Sequence, residues 1–224
     1  MEPNYDLNLK MQLKNNLENF DINSESERLK IEKFCEKFNF KLDEVYDEIK
    51  KSKFLKAFFI KNPTKQNIYE KTAFEFISSI EGVHDAENLP NGSKTNSVYI
   101  SDQEVRKGRD VPISIRKKAK SIDFKFMYKD LKTEFYVFHK YTGESGGAQD
   151  NQKNDIINSM NAAKSAHPCD KDFVLFYICD GAYYNKEKMI ELGNNITGIS
   201  NFYLLKSGDL ENKLKSIFDG YKCI

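Results

Sequence analysis

Apolar side chains in the first 60 residues recur at helical spacing. Between Ser24 and Phe38, the residues Leu29, Ile31, Phe34, Cys35 and Phe38 fall close to a 3.6-residue period. Leu42, Val45, Tyr46 and Ile49 repeat the pattern, residues 54–60 continue it, and Asn62-Pro63 breaks it. The spacing predicts an N-terminal helical region over 1–62, serving as a subdomain, a dimerisation surface or a cap on the core. A longer helix is predicted over 64–81, with Tyr69, Ala73, Phe76, Ile77 and Ile80 on one face. Gln66 and Glu70 project near the edge of that face, and Glu75 lies opposite.

Residues 82–118 read as irregular apart from a short strand over 97–101, with Asn91-Gly92 and Gly108 as turn signals. From residue 121 the period changes to two. Ile122, Phe124 and Phe126 take one face of a strand over 121–128, and Asp123 and Lys125 take the other. Lys129-Asp130 turns the chain into a second strand over 134–141, which makes a hairpin. A helix is expected from about Gln149, and residues 173–179 form a continuous apolar run suited to a strand buried on both faces. Helix, strand and helix follow over 186–192, 201–205 and 210–218. The order predicts an α/β core over 63–224, a mixed central sheet flanked by helices, beside the N-terminal helical region.

Lys and Arg total 35 against 34 Asp and Glu, so net charge gives no global sign of nucleic-acid binding, and local patterning must decide. Arg106, Lys107, Arg109, Arg116, Lys117, Lys118 and Lys120 crowd the segment that leads into the Asp123 strand, where they are candidates for phosphate contact. No run approaches the roughly 20 apolar residues of a membrane span. The polar, acidic N-terminus lacks the features of a signal peptide, so a cytoplasmic location is expected. Cys35, Cys169, Cys179 and Cys223 have no zinc-site spacing and are expected as reduced thiols. His84 and His167 are expected at the surface.

Asp123, expected in mid-strand between apolar neighbours, is costly to bury alone and is expected to face a cleft, a cation or a metal. Lys140, at the end of the adjacent strand, is placed to approach the same cleft. Such a pair suits phosphodiester hydrolysis, with Mg²⁺ on the carboxylate and the lysine steadying water or phosphate; two solvated strand residues are the plainer reading. His139 alternates away from Lys140, so packing is favoured over a general-base role. Gly146 and Gly147 would let backbone amides approach a phosphate or simply make a tight turn. Gln149, Asn151 and Gln152 suit adenine edges in the major groove, or the cap and solvated face of a helix.

Taken together, Ser121-Ile122-Asp123-Phe124, the hairpin, His139-Lys140-Tyr141-Thr142, and Gly146-Gly147-Ala148-Gln149-Asp150-Asn151-Gln152 opening a helix resemble restriction endonucleases of the PD-(D/E)XK superfamily. Cys179-Asp180-Gly181-Ala182-Tyr183-Tyr184 resembles the strand end after the core helix in several of them, and the resemblance covers residues 64–206. It implies a restriction-endonuclease-like core and a type II enzyme cutting a specific double-stranded DNA sequence. Mg²⁺ or Mn²⁺ would be the cofactor, a homodimer the active form, and a cognate DNA methyltransferase the functional partner. Carried over, Asp123 is the first acid and metal ligand, and Lys140 the catalytic lysine. Phe138 stands where the motif has its second acid, and Ile122 where it has proline. Related enzymes move that acid to a helix, which makes Glu70 the preferred second metal ligand, ahead of Glu144 and Asp155. A second parse takes Asp123-Phe124-Lys125 as the acid–lysine pair, with Asp110 or Asp102 as the first acid. A catalytically degenerate DNA-binding relative and a structure-specific nuclease are the alternatives.

Overall fold

The computed structural model describes residues 2–60, 64–92, 95–143, 147–164 and 173–222, with the backbone alone at 147–149 and 222. Glu144, Gly146, His167, Cys169, Cys223 and the Gln149 side chain lie outside the described residues. Two compact units divide the chain, one of Asn4–Ile68 and one of Met1–Pro3 with Tyr69–Ile224. No described helix is long and apolar enough to cross a membrane.

The Asn4–Ile68 unit is helical: α1 (Tyr5–Glu18), α2 (Glu25–Phe38), α3 (Leu42–Lys51), α4 (Lys53–Phe59) and the start of α5 (Lys65–Ser78). Ser24 caps α2 by accepting from the Glu27 amide, and its hydroxyl donates to the Glu27 carboxylate. Asn39 ends the helix at φ +56°, a left-handed position Asn tolerates. Ile31, Cys35, Ile49 and Phe59 form the buried centre of this unit.

In the larger unit, the rest of α5 leads into strands β1 (Val83–Asn88), β2 (Val98–Ser101) and β3 (Glu104–Lys107), then the short helix α6 (Ile113–Arg116). Strands β4 (Phe124–Tyr128) and β5 (Glu134–Tyr141) follow, then α7 (Gly147–Ala163), β6 (Phe173–Asp180), α8 (Lys186–Gly193), β7 (Phe202–Leu205) and α9 (Ser207–Lys222). The sheet order is β1-β4-β5-β6-β7. β1–β4 and β4–β5 are antiparallel; β5–β6 and β6–β7 are parallel, so α7 and α8 serve as crossovers. Every residue of β6 is buried, as its unbroken apolar sequence requires of a strand covered on both faces.

Ile156, Met160 and Ala163 of α7 and Leu192 of α8 pack on Tyr136, Phe138, Leu175 and Tyr177. Over the opposite face, Phe74 of α5 meets Phe124 at 5.8 Å and Phe218 of α9 meets Tyr128 at 6.1 Å. The expected α/β class and mixed, two-sided sheet are therefore present.

Two local expectations change. Residues 82–118 contain β1 and the β2–β3 hairpin, not one short strand. β1 is an edge strand, mostly exposed, with Asp85 at φ +50° beside a register shift, so its sequence never alternates cleanly. Finally, β4 starts at Phe124, so Asp123 is not in mid-strand. The Ile122 amide has turned to the Val98 carbonyl of β2 (2.8 Å), while the Asp123 amide still reaches Val137 of β5 (2.9 Å).

The ends of β5 and β6 are locked at Gly181. The Thr142 amide donates to the Asp180 carbonyl at 2.9 Å, and the Tyr183 amide donates to Thr142 at 3.1 Å. Gly181 sits at φ +93°, where a Cβ would lie 2.2 Å from the Thr142 carbonyl oxygen. Gly181→Ala is expected to destabilise by about 3 kcal/mol or more, combining a strained φ with a backbone clash. Urea unfolding measures it; a loss under about 1 kcal/mol would mean the turn relaxes at little cost.

Candidate functional site

Where the chain passes from its contact with β2 into β4, a carboxylate enters the end of the sheet beside β5. The His139 amide of β5 donates to Asp123 Oδ2 at 2.7 Å. A side-chain oxygen thus takes the donor that strand pairing no longer satisfies, as a buried amide requires. Asp123 is 8% exposed, and that small opening faces a polar cavity of about 290 Å³.

Four parts of the chain supply the cavity's charges. Glu70 comes from α5, Asp123 and Lys140 from the β4–β5 hairpin, and Asp155 from α7. Arg116, Lys117 and Lys120 come from α6 and the segment after it. Glu70 accepts from Asn91 Nδ2 at 3.2 Å, so the Asn91-Gly92 turn fixes its carboxylate. Lys120 is held from two sides: its amide donates to Ser159 Oγ at 3.1 Å and its Nζ lies 3.8 Å from Asp155 Oδ2. Lys140 Nζ lies 5.1 Å from the centroid of the Phe138 ring, on the face that alternation gives both side chains.

Phe138 is fully buried in the core and meets Tyr177 at 5.7 Å. The position where the resembling motif has an acid is thus filled by packing, and the other carboxylates of this cavity come from α5 (Glu70) and α7 (Asp155). Burial pushes the Asp123 carboxyl up to about 6; Lys140 pulls it down, Glu70 pushes it further up, and the His139 amide opposes the rise.

The structure brings Asp123, Glu70 and Lys140 together, with Arg116, Lys117 and the weaker candidate Asp155. His139 is not among the lining residues. Its side chain is fully buried, with Nε2 3.5 Å from Asp180 Oδ2, and it serves the site through its backbone amide. Lys125 is engaged elsewhere, 2.9 Å from Glu134 and 3.8 Å from Glu87. Asp102 pairs with Arg106 at 3.3 Å and Asp110 with Arg109 at 3.6 Å, and none of these four lines the cavity. Lys107 and Lys118 are exposed, as is Asn151 on α7. Gln152 accepts from the Thr142 hydroxyl at 2.6 Å, and Gly147 opens α7. The sequence reading missed Asn91, Tyr99 and Ser121 as lining residues. Only the Asn91-Gly92 turn carried a signal, and it spoke of backbone shape rather than of the side chain.

The donor set bears on which cation fits. Asp123 and Glu70 offer hard oxygen ligands, and no group of three His, Cys, Asp or Glu able to hold a metal occurs among the described residues. The two carboxylates alone are donors of the kind that Mg²⁺ or Mn²⁺ takes together with water and substrate oxygens. Comparison with protein-family models, curated proteins and solved structures gives no match to this chain.

The raised Asp123 carboxyl has a stability consequence. Its proton is held more tightly in the folded than in the unfolded chain, so this contribution is full below about pH 4 and is lost as pH rises through about 6. Asp123→Asn removes the titration and keeps an oxygen for the His139 amide. The variant is expected to exceed the native chain by about 1–3 kcal/mol at pH 8 and to match it near pH 4. Urea denaturation at both pH values tests this, and equal differences at the two would contradict it.

Proposed function

We propose that the chain is a metal-dependent endodeoxyribonuclease of the restriction-endonuclease type, a type II enzyme that hydrolyses phosphodiester bonds at a specific double-stranded DNA sequence. The observation that carries the reading is the meeting of Asp123, Glu70 and Lys140 in one cavity rimmed by Arg116, Lys117 and Lys120. The hairpin, crossover helix and parallel strand also occur in the order expected of a restriction-endonuclease-like core. Mg²⁺ or Mn²⁺ is the proposed cofactor, duplex DNA the substrate, and a second copy of the chain the proposed partner. A cognate DNA methyltransferase is its functional counterpart.

Asp123 and Glu70 would hold the cation, which supplies Lewis-acid polarisation of the phosphoryl group and an acidified water. Asp123 commits Oδ2 to the His139 amide, and that hydrogen bond fixes the direction in which the carboxylate presents its remaining acceptor capacity. Lys140 would orient water or a phosphate oxygen, with the Phe138 ring beneath it taking the place of a second acid. Arg116, Lys117 and Lys120 would hold flanking phosphates, giving affinity that falls steeply with salt.

Digestion of long mixed-sequence duplex DNA with Mg²⁺ is expected to give discrete bands that EDTA abolishes. Asp123→Ala, Glu70→Gln and Lys140→Ala should each lower the rate by about a hundredfold or more, and Lys125→Ala should leave it within about threefold. Uncut DNA with salt-sensitive binding would instead favour the non-catalytic DNA-binding reading, for which the Phe138 ring is the structural argument.

A further inference from the structure

The β2–β3 hairpin is a sheet of its own, yet it is fastened to the core at both ends. At its root the Ile122 amide donates to the Val98 carbonyl at 2.8 Å, one residue before Asp123. At its tip the Asp102 and Gln103 amides donate to the Ala162 and Ala163 carbonyls at 3.0 and 2.8 Å. These bonds satisfy carbonyls that the end of α7 would otherwise leave open. Between the two anchors Tyr99, almost wholly buried, reaches the wall of the polar cavity. Its hydroxyl donates to the Gly92 carbonyl at 3.3 Å. Gly92 stands at φ +90°, a conformation that other residues adopt only with strain.

The segment that receives this bond touches both of the acids read above as cation ligands. The Leu89 amide donates to the Asp123 carbonyl at 2.9 Å, and Leu89 is buried in the same apolar cluster as Val98 and Ile122. Two residues on, Asn91 Nδ2 donates to Glu70 Oε2 at 3.2 Å. Residues 89–92 thus bridge Asp123 at its main chain and Glu70 at its side chain, and Tyr99 holds the far end of the bridge.

We propose that Tyr99 is a positioning residue for the cation site, holding the 89–92 turn so that Asn91 keeps the Glu70 carboxylate directed to the cavity it shares with Asp123. The inference rests on the reading of Asp123 and Glu70 as that site. Two carboxylates repel each other until a cation lies between them, and the charge of Glu70 indeed raises the Asp123 carboxyl. A glutamate on a helix can also swing away through its rotatable side chain. The Asn91 bond opposes both, and it is only as firm as the turn that carries it. Tyr99 acts at one remove, through Gly92, and β2 holds it because the hairpin is anchored on Ile122 and on α7. Partners that orient metal ligands are typically worth about ten- to a hundredfold in affinity.

Mn²⁺ titration of the full chain with duplex DNA present tests this, using Tyr99→Phe, which keeps the buried ring and removes only the hydroxyl. Affinity is expected to fall about three- to tenfold in Tyr99→Phe and about tenfold or more in Asn91→Ala. The double variant should bind no more weakly than Asn91→Ala alone, because both changes release the same carboxylate. A residue that merely supports the fold would add its loss in either background. In the metal-free chain, the Asn91 side-chain amide signal in nuclear magnetic resonance should move on Glu70→Gln and also on Tyr99→Phe. Native affinity in Tyr99→Phe, or a loss that multiplies in full with that of Asn91→Ala, overturns the proposal. Should the native chain bind no Mn²⁺, the cation-site reading falls, and an Asn91 signal unmoved by Tyr99→Phe would sink this inference as well. Mn²⁺ binding that depends on Tyr99 without any DNA cleavage would leave the inference standing and sink the nuclease reading alone.

Discussion

The hydrogen bond from the His139 amide to Asp123 Oδ2 is the constraint on which the site depends. It forms where the chain, bonded through the Ile122 amide to Val98 of β2, enters β4, and the ladder would otherwise leave a buried donor unsatisfied. An aspartate at that point satisfies the amide and places an acid in a nearly closed position. Glu70, anchored by Asn91, and Lys140, lying over Phe138, are then brought to the same cavity by elements that pack on the sheet. A displaced strand end, rather than a loop, sets the direction of the acid. Rigid supports of this kind hold catalytic geometry better than mobile ones.

The same arrangement has an energetic cost. A carboxyl raised to about 6 by burial is a group the fold would be more stable without at neutral pH. Strain and unfavourable charge collect at functional sites because the rest of the structure can offset them. Here the offset lies in the fully buried β6 and in the aromatic layers that cover both faces of the sheet. Phenylalanine at position 138 gives the core a fully buried ring, and the cavity's other carboxylates, Glu70 and Asp155, stand on helices.

Much of the fold was legible because its central strands are strongly patterned. The bounds 134–141 for β5 follow from period-two alternation, and β6 follows from an uninterrupted apolar run. β1 was hidden because an exposed edge strand has no buried face to write into its sequence. The site was legible in its residue types and in the resemblance that groups them. Lys125 and Lys140 both alternate onto the Asp123 face, and the order of loop and helix after the second strand favours Lys140; in the structure Lys140 lines the cavity while Lys125 contacts Glu134 and Glu87. The roles of Asn91 and Tyr99 depend on how distant segments meet, which no local pattern records. In the N-terminal helices, Phe54 and Phe58 continue the apolar period yet stand exposed, because periodicity cannot distinguish a face turned inward from one turned outward.

The central claim is that Asp123 and Glu70 together make a site for a hard divalent cation. Mn²⁺ titration followed by electron paramagnetic resonance, with duplex DNA present, tests it most directly. Binding is expected at pH 7.5, weaker at pH 5 where the Asp123 carboxyl holds its proton, and lost in Asp123→Asn and in Glu70→Gln. Binding of equal strength in all of these, or none in the native chain, would contradict the account.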